Sequence, residues 1–111
     1  MRRVEKPWGY ELIWAETERY VAKVLNIHRG HKLSRQYHRV KDETLMVESG
    51  QMDLEIGKSP EIKIVRMKSG DVFHVTPGTI HRMIAVEDVR VFEVSTPELD
   101  DVVRLDRKSV V

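Results

Sequence analysis

Hydrophobic and polar side chains alternate with a period of two along most of this chain, a pattern that predicts strands rather than helices. In residues 51–56, apolar side chains at 52, 54 and 56 alternate with polar ones, which is typical of a strand with one buried and one solvated face. Seven segments share this character and are bounded by Gly, Pro, Ser or Asp: residues 20–27, 43–49, 51–56, 61–67, 71–75, 81–86 and 89–95. The ELIW stretch near the start is a further candidate strand.

Short strands that recur every ~8–12 residues predict an all-β protein, built as an antiparallel sandwich or barrel. No segment keeps a helical period for ten residues, although TPELDDVVRL, residues 96–105, could form a capped turn or a short helix. The length of 111 residues predicts one domain, residues 1–111. Within it we expect a short N-terminal KPWGY strap, a barrel from about residue 20 to 96, and the C-terminal turn or helix.

Composition and charge exclude several classes of protein. The formal net charge of +1 gives no reason to expect a nucleic-acid or membrane partner. Cysteine is absent, which excludes disulfides and thiolate metal sites. No apolar run approaches the ~18 residues of a membrane span, and the start lacks the apolar core of a signal peptide, so a cytoplasmic location is expected.

The chain is rich in charge and poor in amides. Charged residues make up 33% of the sequence, whereas Asn26 is the only asparagine and Gln36 and Gln51 are the only glutamines. This bias is typical of hyperthermophile proteins, and it predicts a melting temperature above ~80 °C. In a chain so poor in amides, Gln36 stands out.

Four polar side chains are placed so that they could converge. Gln36 and His38 stand two positions apart and share one face of a strand, and Glu43 returns on the next strand after a polar turn. His81 opens a later strand after the turn Thr76-Pro77-Gly78. The pattern predicts either a metal site or a hydrogen-bonded polar cluster that holds no ion.

These segments resemble the paired motifs of the cupin superfamily. The first motif reads Gly30, five residues, Gln36-x-His38, four residues, Glu43, six residues and Gly50. The second reads Gly70, five residues, Thr76-Pro77-Gly78, two residues and His81. Gln36 replaces the first His of the usual pattern, and Thr76 replaces the first Pro. The resemblance implies a cupin fold, a jelly-roll barrel also called a double-stranded β-helix.

The Gln-x-His variant narrows the resemblance. Together with KPWGY, GHKLSRQYH, PGTIHR and FEVSTPELDDVVRL, it is similar to mannose-6-phosphate isomerases, above all to the C-terminal cupin domain of the type II enzymes. This implies metal-dependent aldose–ketose isomerisation of a sugar phosphate. Where that family usually ends in Asp-x-Tyr-Gly-Arg, this sequence reads Asp106-Arg107-Lys108-Ser109. A non-catalytic cupin that binds a sugar or anion near the metal is therefore the alternative.

A third hypothesis is an Fe-dependent cupin dioxygenase. Gln36 argues against it, because such sites more often use three His plus Glu or two His plus a carboxylate.

The predicted metal site has four candidate ligands. Gln36, His38, Glu43 and His81 would offer a divalent ion a mixed set of nitrogen and oxygen ligands. Zinc is the first candidate, and Mn, Fe or Ni are alternatives. With a single anionic ligand, the ion would keep a net positive charge and act as a Lewis acid.

Isomerisation also needs a base and a grip on the phosphate. Glu93, Lys23 and His74 are the catalytic candidates, with Glu93 preferred as base because it lies on a core strand where a carboxyl pKa rises. The candidate substrate-binding cations are Lys32, Arg35 and Arg82. Strand alternation counts against Arg35 and Arg82, since each is next to an inward-pointing ligand, and so favours Lys32 and Lys23 for the phosphate.

The remaining expectations concern packing. Met46 is predicted to point out of the barrel, where it needs cover from another sheet or another subunit, and this favours a homodimer. His28 and His31 flank a turn and are interpreted as solvated loop residues. Trp8 is expected to pack over the barrel.

Overall fold

The computed structural model describes residues 1–106, which form strands, turns and loops but no helix. The predicted all-β class is confirmed. The eleven strands within this part of the chain are β1 (Arg2–Lys6), β2 (Gly9–Glu16), β3 (Val21–Ile27), β4 (Gln36–Tyr37), β5 (Glu43–Ser49), β6 (Gln51–Lys58), β7 (Glu61–Lys68), β8 (Val72–Val75), β9 (His81–Ala85), β10 (Val89–Ser95) and β11 (Val103–Arg104). Since no helix is present in residues 1–106, none is long and apolar enough to cross a membrane.

Two antiparallel sheets pack face to face, as the strand pattern predicts. The six-stranded sheet has the order β1-β2-β3-β10-β5-β8, and the five-stranded sheet has the order β11-β4-β9-β6-β7. All seven predicted strands and the ELIW strand are present, with ends that differ by two residues at most. The non-sequential order of both sheets means that neighbouring strands are often far apart along the chain.

The N-terminal segment extends the six-stranded sheet, whereas the sequence predicts a strap outside the barrel. Residues 2–16 form a hairpin whose turn is Pro7-Trp8, and β2 pairs with β3. Trp8 is buried and belongs to the core cluster, and its carbonyl accepts a hydrogen bond from the His28 amide at 2.9 Å. Gly9 has φ of 149°, and a Cβ there would lie 1.9 Å from the Asn26 carbonyl oxygen, so only glycine permits this close approach.

The C-terminal segment forms turns and a short strand. Residues 96–102 contain bends and a turn, and β11 then pairs with β4, so of the two alternatives for this segment the structure contains the turn and no helix. Arg107–Val111, most of the stretch where the sequence departs from the family ending, lie outside the described residues.

The interior is divided into an apolar end and a polar end. On β3, β5, β9 and β10, the inward-facing row has one charged or imidazole side chain at the same end of the barrel and apolar side chains beyond it. The polar members are Lys23, Glu43, His81 and Glu93; the apolar members include Leu25, Ile27, Leu45, Val47, Met83, Ala85, Val89 and Val91. The core therefore fills one end, and the other end is open for a site.

Candidate metal centre

Turn geometry brings the two motifs together. His38 directly follows β4, Glu43 opens β5 and His81 opens β9. The Gly78 amide donates to the His38 carbonyl at 2.7 Å, which ties the turn before His81 to the segment that carries His38. Gly78 adopts φ of 84°, a left-handed conformation that favours glycine.

His38, Glu43 and His81 converge on one point. One potential ligand atom from each lies within 4.8 Å of the other two, and the side chains are buried, with residue exposures of 5%, 3% and 1%. His38 Nε2 and Glu43 Oε1 approach to 2.7 Å. Nevertheless, His38 Nε2, Glu43 Oε1 and His81 Nε2 have no hydrogen-bond partner of acceptable geometry. Three polar atoms are thus buried and aimed at a common space.

The outer nitrogens of the two imidazoles determine what the inner nitrogens offer. His38 Nδ1 lies 2.6 Å from the Asp101 carbonyl oxygen, and His81 Nδ1 lies 2.8 Å from the Thr79 carbonyl oxygen. Because a carbonyl only accepts, each Nδ1 carries the proton, and in the neutral ring each Nε2 presents a lone pair. Two lone pairs and a carboxylate oxygen facing one another repel unless a cation or a proton lies between them. The donor set therefore fits a divalent metal, and the Nδ1 bonds are those that orient metal-binding imidazoles.

The electrostatics of the cluster favour an ionised Glu43. Burial is the largest influence and favours the neutral acid, but the adjacent His38 ring and the positive charge of Lys41 outweigh it and lower the pKa of Glu43 to about 2. Burial lowers the pKa of His81. Burial also lowers the pKa of His38, but the hydrogen bond and charge of Glu43 outweigh burial, and the net effect is a raised pKa.

The fourth predicted ligand lies beside the other three. Gln36 is the register partner of His81 across β4 and β9, so the two side chains share one face of the sheet. Gln36 lines a cavity together with His38 and Glu43, and its Oε1 accepts a hydrogen bond from Ser34 Oγ at 3.3 Å. Coordination by Gln36, like that by the three clustered residues, stays a prediction.

A chain of buried charges lies next to the cluster. Glu93 Oε2 is 3.3 Å from Lys41 Nζ and 3.7 Å from Lys23 Nζ, and Lys23 Nζ is 3.5 Å from Glu11 Oε2. The exposed fractions of these side chains are all 12% or less. Burial and the neighbouring Glu43 charge raise the pKa of Glu93 to about 7, although both lysines oppose the shift. For Lys23, burial lowers the pKa but Glu93 and Glu11 prevail and raise it.

Both groups open into a cavity of about 900 Å³. The six-stranded sheet, the loop before β4 and the C-terminal segment line it. Its cationic lining residues are Arg2, Lys6, Lys23, Lys32, Lys41 and Arg104, and its acidic ones are Glu11, Glu43, Glu93 and Asp100. Within residues 1–106, Lys6, Lys32 and Arg104 form no ion pair, so their charges are free to attract an anion.

Three candidates from the sequence do not line this cavity. His74 is exposed on the outer face of β8, where its Nε2 lies 2.6 Å from Asp42 Oδ1, so it lies away from the cavity, and a catalytic role for it stays a prediction. Arg35 binds Glu55 and the Gly57 carbonyl, and Arg82 pairs with Asp106. Both arginines lie outside the cavity, as strand alternation indicates, and their assignment to substrate binding stays a prediction.

The cavity is lined by three of the predicted site residues, Glu93, Lys23 and Lys32. It is also lined by charged residues that the sequence pattern did not single out. Lys41 and Glu11 are buried charges that the sequence analysis did not select. Lys41 stands two positions before Glu43, and the same alternation that turns Glu43 inward could have identified it.

His28 and His31 are exposed in a loop, as expected, with ring centroids 6.2 Å apart.

Comparisons with known proteins agree with this architecture. The Cupin_2 family model, described as a cupin domain, matches residues 23–95. KdgF from Halomonas sp. superposes with a TM-score of 0.74 at 23% identity, covering 90% of this chain and 91% of that one. No curated protein sequence matches the chain.

Two other solved structures are also similar. The capsular polysaccharide assembling protein CapF from Staphylococcus aureus gives a TM-score of 0.77 at 17% identity, over 94% of this chain and 34% of CapF. A sugar phosphate isomerase of the cupin superfamily from Silicibacter pomeroyi gives 0.69 at 21% identity, over 78% of this chain and 58% of that one. At such identities these likenesses establish the fold alone, and the expected cupin fold is confirmed.

Proposed function

We propose, from the premise that this chain belongs to the Cupin_2 family of cupin domains, that it is a metal-dependent sugar-phosphate isomerase. Mannose 6-phosphate is the first candidate substrate, and zinc is the first candidate metal. The observation that carries the proposal is the convergence of His38, Glu43 and His81, whose acceptor atoms lack a hydrogen-bond partner, beside a cation-lined cavity that His38 and Glu43 help to line. A cytoplasmic location remains a prediction from the sequence.

The proposed chemistry needs three components in one place. A divalent ion held by His38, Glu43, His81 and Gln36 would supply a Lewis acid for the neighbouring carbonyl and hydroxyl oxygens of a sugar. Aldose–ketose isomerisation moves a proton from one carbon to the next, so a base must remove it and later return it. The negative charge that develops on the substrate oxygens must be stabilised by fixed positive groups.

Glu93 has the properties of the base. It lines the cavity, it is 4% exposed, and its pKa of about 7 matches a group that both accepts and returns a proton near neutral pH. Lys23 and Lys41 both contact the same oxygen of its carboxylate, Oε2. Their ammonium groups also supply positive charge beside the reacting carbons without rearrangement of the protein.

The unpaired cations suit the phosphate. Lys32, Lys6 and Arg104 come from three separated segments and line the same cavity as the metal cluster. A sugar phosphate has its reacting carbons at one end and its phosphate at the other, so it could span the distance between the cluster and these cations. A sugar phosphate isomerase from Silicibacter pomeroyi has a similar fold, so the fold is compatible with this substrate class.

The proposal is tested with protein stripped by a chelator and reloaded with Zn, Mn, Fe(II) or Ni. Conversion of mannose 6-phosphate to fructose 6-phosphate is followed, together with a panel of other aldose phosphates. We expect activity only after reloading, and we expect His38→Ala to lose both bound metal and activity. His74→Ala, which removes an imidazole outside the cavity, is the matched control and should behave like wild type. Metal-loaded protein that converts no aldose phosphate would contradict the proposal.

A second candidate function is a non-catalytic metal-containing module that binds a sugar or an anion. The observation that favours it is the pairing of Glu93 with two lysines, which engages the best candidate base. Calorimetric titration with mannose 6-phosphate separates the two: binding to the metal-loaded protein without turnover supports the module.

A further inference from the structure

Glu11 is a charged side chain in an otherwise apolar row on the inner face of the six-stranded sheet. Its register partners are Val4 on β1 and Leu25 on β3, and Leu25 is in turn the partner of Val91 on β10. Glu11 is nevertheless buried, at 8% exposure. A valine at position 11 would continue the row, and a glutamate is rarely buried unless it is paired. Packing alone therefore does not explain a carboxylate at this position.

The pairing of Glu11 within the protein is incomplete. Its single polar contact in residues 1–106 joins Oε2 to Lys23 Nζ at 3.5 Å, longer than the ~2.8 Å of a strong charge-assisted hydrogen bond. Lys23 already has a carboxylate partner in Glu93, which lies opposite it on β10. An ionised carboxylate can accept about four hydrogen bonds, and its burial is unfavourable without them. Glu11 therefore has acceptor capacity that the described residues do not use.

This acceptor capacity opens into the cavity of the candidate site, which Glu11 helps to line. The Lys23 ammonium contacts both Glu11 and Glu93, so Glu11 lies one side chain beyond the proposed base as seen from the metal cluster. On its other side is Lys6, which lines the cavity and stands two positions after Val4, the register partner of Glu11. Glu11 is thus placed between the proposed base and a cation suited to the phosphate.

The surroundings of Glu11 favour a neutral hydrogen-bond donor as its ligand. A cationic group would be repelled by Lys23 and Lys6, which line the cavity on either side, and an anionic group would be repelled by Glu11 itself. Sugar hydroxyls are neutral donors, and two neighbouring hydroxyls can donate to the two oxygens of one carboxylate.

We propose that Glu11 is a specificity-determining residue that binds the hydroxyl groups on the middle carbons of the sugar. This inference rests on the proposed function and names the part of the sugar phosphate that Glu11 recognises. In mannose 6-phosphate, carbons 1 and 2 isomerise and carbon 6 carries the phosphate, so the hydroxyls on carbons 3 and 4 lie between the two ends. The cavity has the same order: the metal cluster with Glu93, then Glu11, then Lys6.

Binding titrations with the metal-loaded protein test the proposal. The ligands are mannose 6-phosphate and its 3-deoxy and 4-deoxy analogues. Wild type should bind at least one analogue about 10–100-fold more weakly than mannose 6-phosphate, because a hydrogen bond to a charged group is lost. Glu11→Val should weaken mannose 6-phosphate by a similar factor and should bind that analogue as well as it binds mannose 6-phosphate. If Glu11 only supported Lys23, the substitution would weaken all three ligands by the same factor.

Two further variants control the titrations. Glu5→Gln alters a carboxylate that pairs with Arg3 on the outer face of the hairpin, away from the cavity, and should keep wild-type affinity for all three ligands. Glu11→Gln preserves the size of the side chain and should show the same loss of discrimination to a smaller extent, which keeps the test valid if Glu11→Val does not fold. Circular dichroism and bound metal report whether each variant is folded.

The outcomes separate this inference from the isomerase proposal. Hydroxyl discrimination that depends on Glu11, in a protein that does not turn over the sugar, supports the role of Glu11 and contradicts the isomerase. Turnover by wild type, with equal weakening of all three ligands in Glu11→Val, overturns the role of Glu11 and leaves the isomerase proposal in place. A metal-loaded wild type that binds none of the three ligands overturns both.

Discussion

Single hydrogen bonds decide the chemistry of the candidate metal centre. His38 and His81 each donate from Nδ1 to a backbone carbonyl, which leaves both Nε2 atoms as acceptors when the rings are neutral. Glu43, with its pKa lowered to about 2, adds a third acceptor that is ionised at every physiological pH. A buried group of three acceptors is unfavourable by itself and becomes favourable around a cation. The preference for a metal therefore depends on the two Nδ1 hydrogen bonds, which lie on the side of each imidazole ring that faces away from the cluster.

The role of Glu93 as the proposed base can be tested by a single substitution. Glu93→Gln preserves size but removes the proton acceptor, so turnover should fall by about 10²–10⁴-fold, the usual contribution of a general base. Bound metal should stay unchanged, since Glu93 is not among the three clustered ligands. Glu48→Gln, which alters a carboxylate on the outer face, serves as the control. Unchanged turnover in Glu93→Gln, measured as kcat with saturating aldose phosphate, would exclude Glu93 as the base.

The C-terminal segment positions the ligand loop. The Asp101 carboxylate accepts hydrogen bonds from the amides of Arg39, Val40 and Lys41 at 3.1, 2.7 and 2.8 Å, and its own carbonyl accepts from His38. One residue therefore holds both the first imidazole and the turn that leads to Glu43. The amides of Lys41, Val40 and Arg39 lower the pKa of Asp101 to about 2.

This contact predicts a pH-dependent loss of stability. Asp101→Ala should lower the free energy of unfolding at pH 7, because three amides lose their acceptor. The pKa of Asp101 is lower in the folded chain than its usual 3.8, so its stabilisation is complete above that value and disappears as the pH falls through about 2. Denaturant titrations of variant and wild type should therefore differ at pH 7 and converge near pH 2.

The matched control for this prediction is Asp100→Ala. The Asp100 carboxylate accepts no hydrogen bond within residues 1–106, so its removal should leave stability unchanged at both pH values. We also expect Asp101→Ala, but not Asp100→Ala, to weaken metal binding by about tenfold, because the loop between His38 and Glu43 loses the carboxylate that holds its amides. A difference between Asp101→Ala and wild type that persists unchanged at pH 2 would refute the electrostatic explanation.

The whole molecule separates its functions between two ends and two faces. The apolar end of the interior supplies stability, the charged end supplies the candidate site, and the outer faces differ in whether charge is paired or apolar surface is exposed. Ion pairs such as Arg2–Glu16 at 3.0 Å and Arg35–Glu55 at 2.6 Å use the high charge content of the sequence. Isolated surface ion pairs contribute little to the free energy of unfolding at room temperature. Their contribution grows on heating, because the desolvation penalty of the charged groups falls.

A melting temperature above ~80 °C is therefore expected from scanning calorimetry. Because part of this stability would be electrostatic, raising the salt concentration from 0.1 to 1 M should lower the melting temperature, since the screening length shortens from about 10 to 3 Å. Melting between about 45 and 65 °C would place the protein among ordinary mesophile domains and refute the expectation.

The sequence alone determined the strands, the all-β class and the convergence of His38, Glu43 and His81. Side-chain alternation and turn residues are local properties, and two motifs with fixed spacing leave few ways to arrange their ligands. Tertiary structure decided what depends on pairing between distant segments: the N-terminal hairpin in the sheet, the contact of Lys41 with Glu93, and the hold of Asp101 on the ligand loop. It also decided that His74 faces outward and that Leu12, Val24, Phe92, Met46 and Val72 form one apolar row across five strands. The physical reason is that sheet order and register are set by packing across the whole chain, and no local pattern contains them.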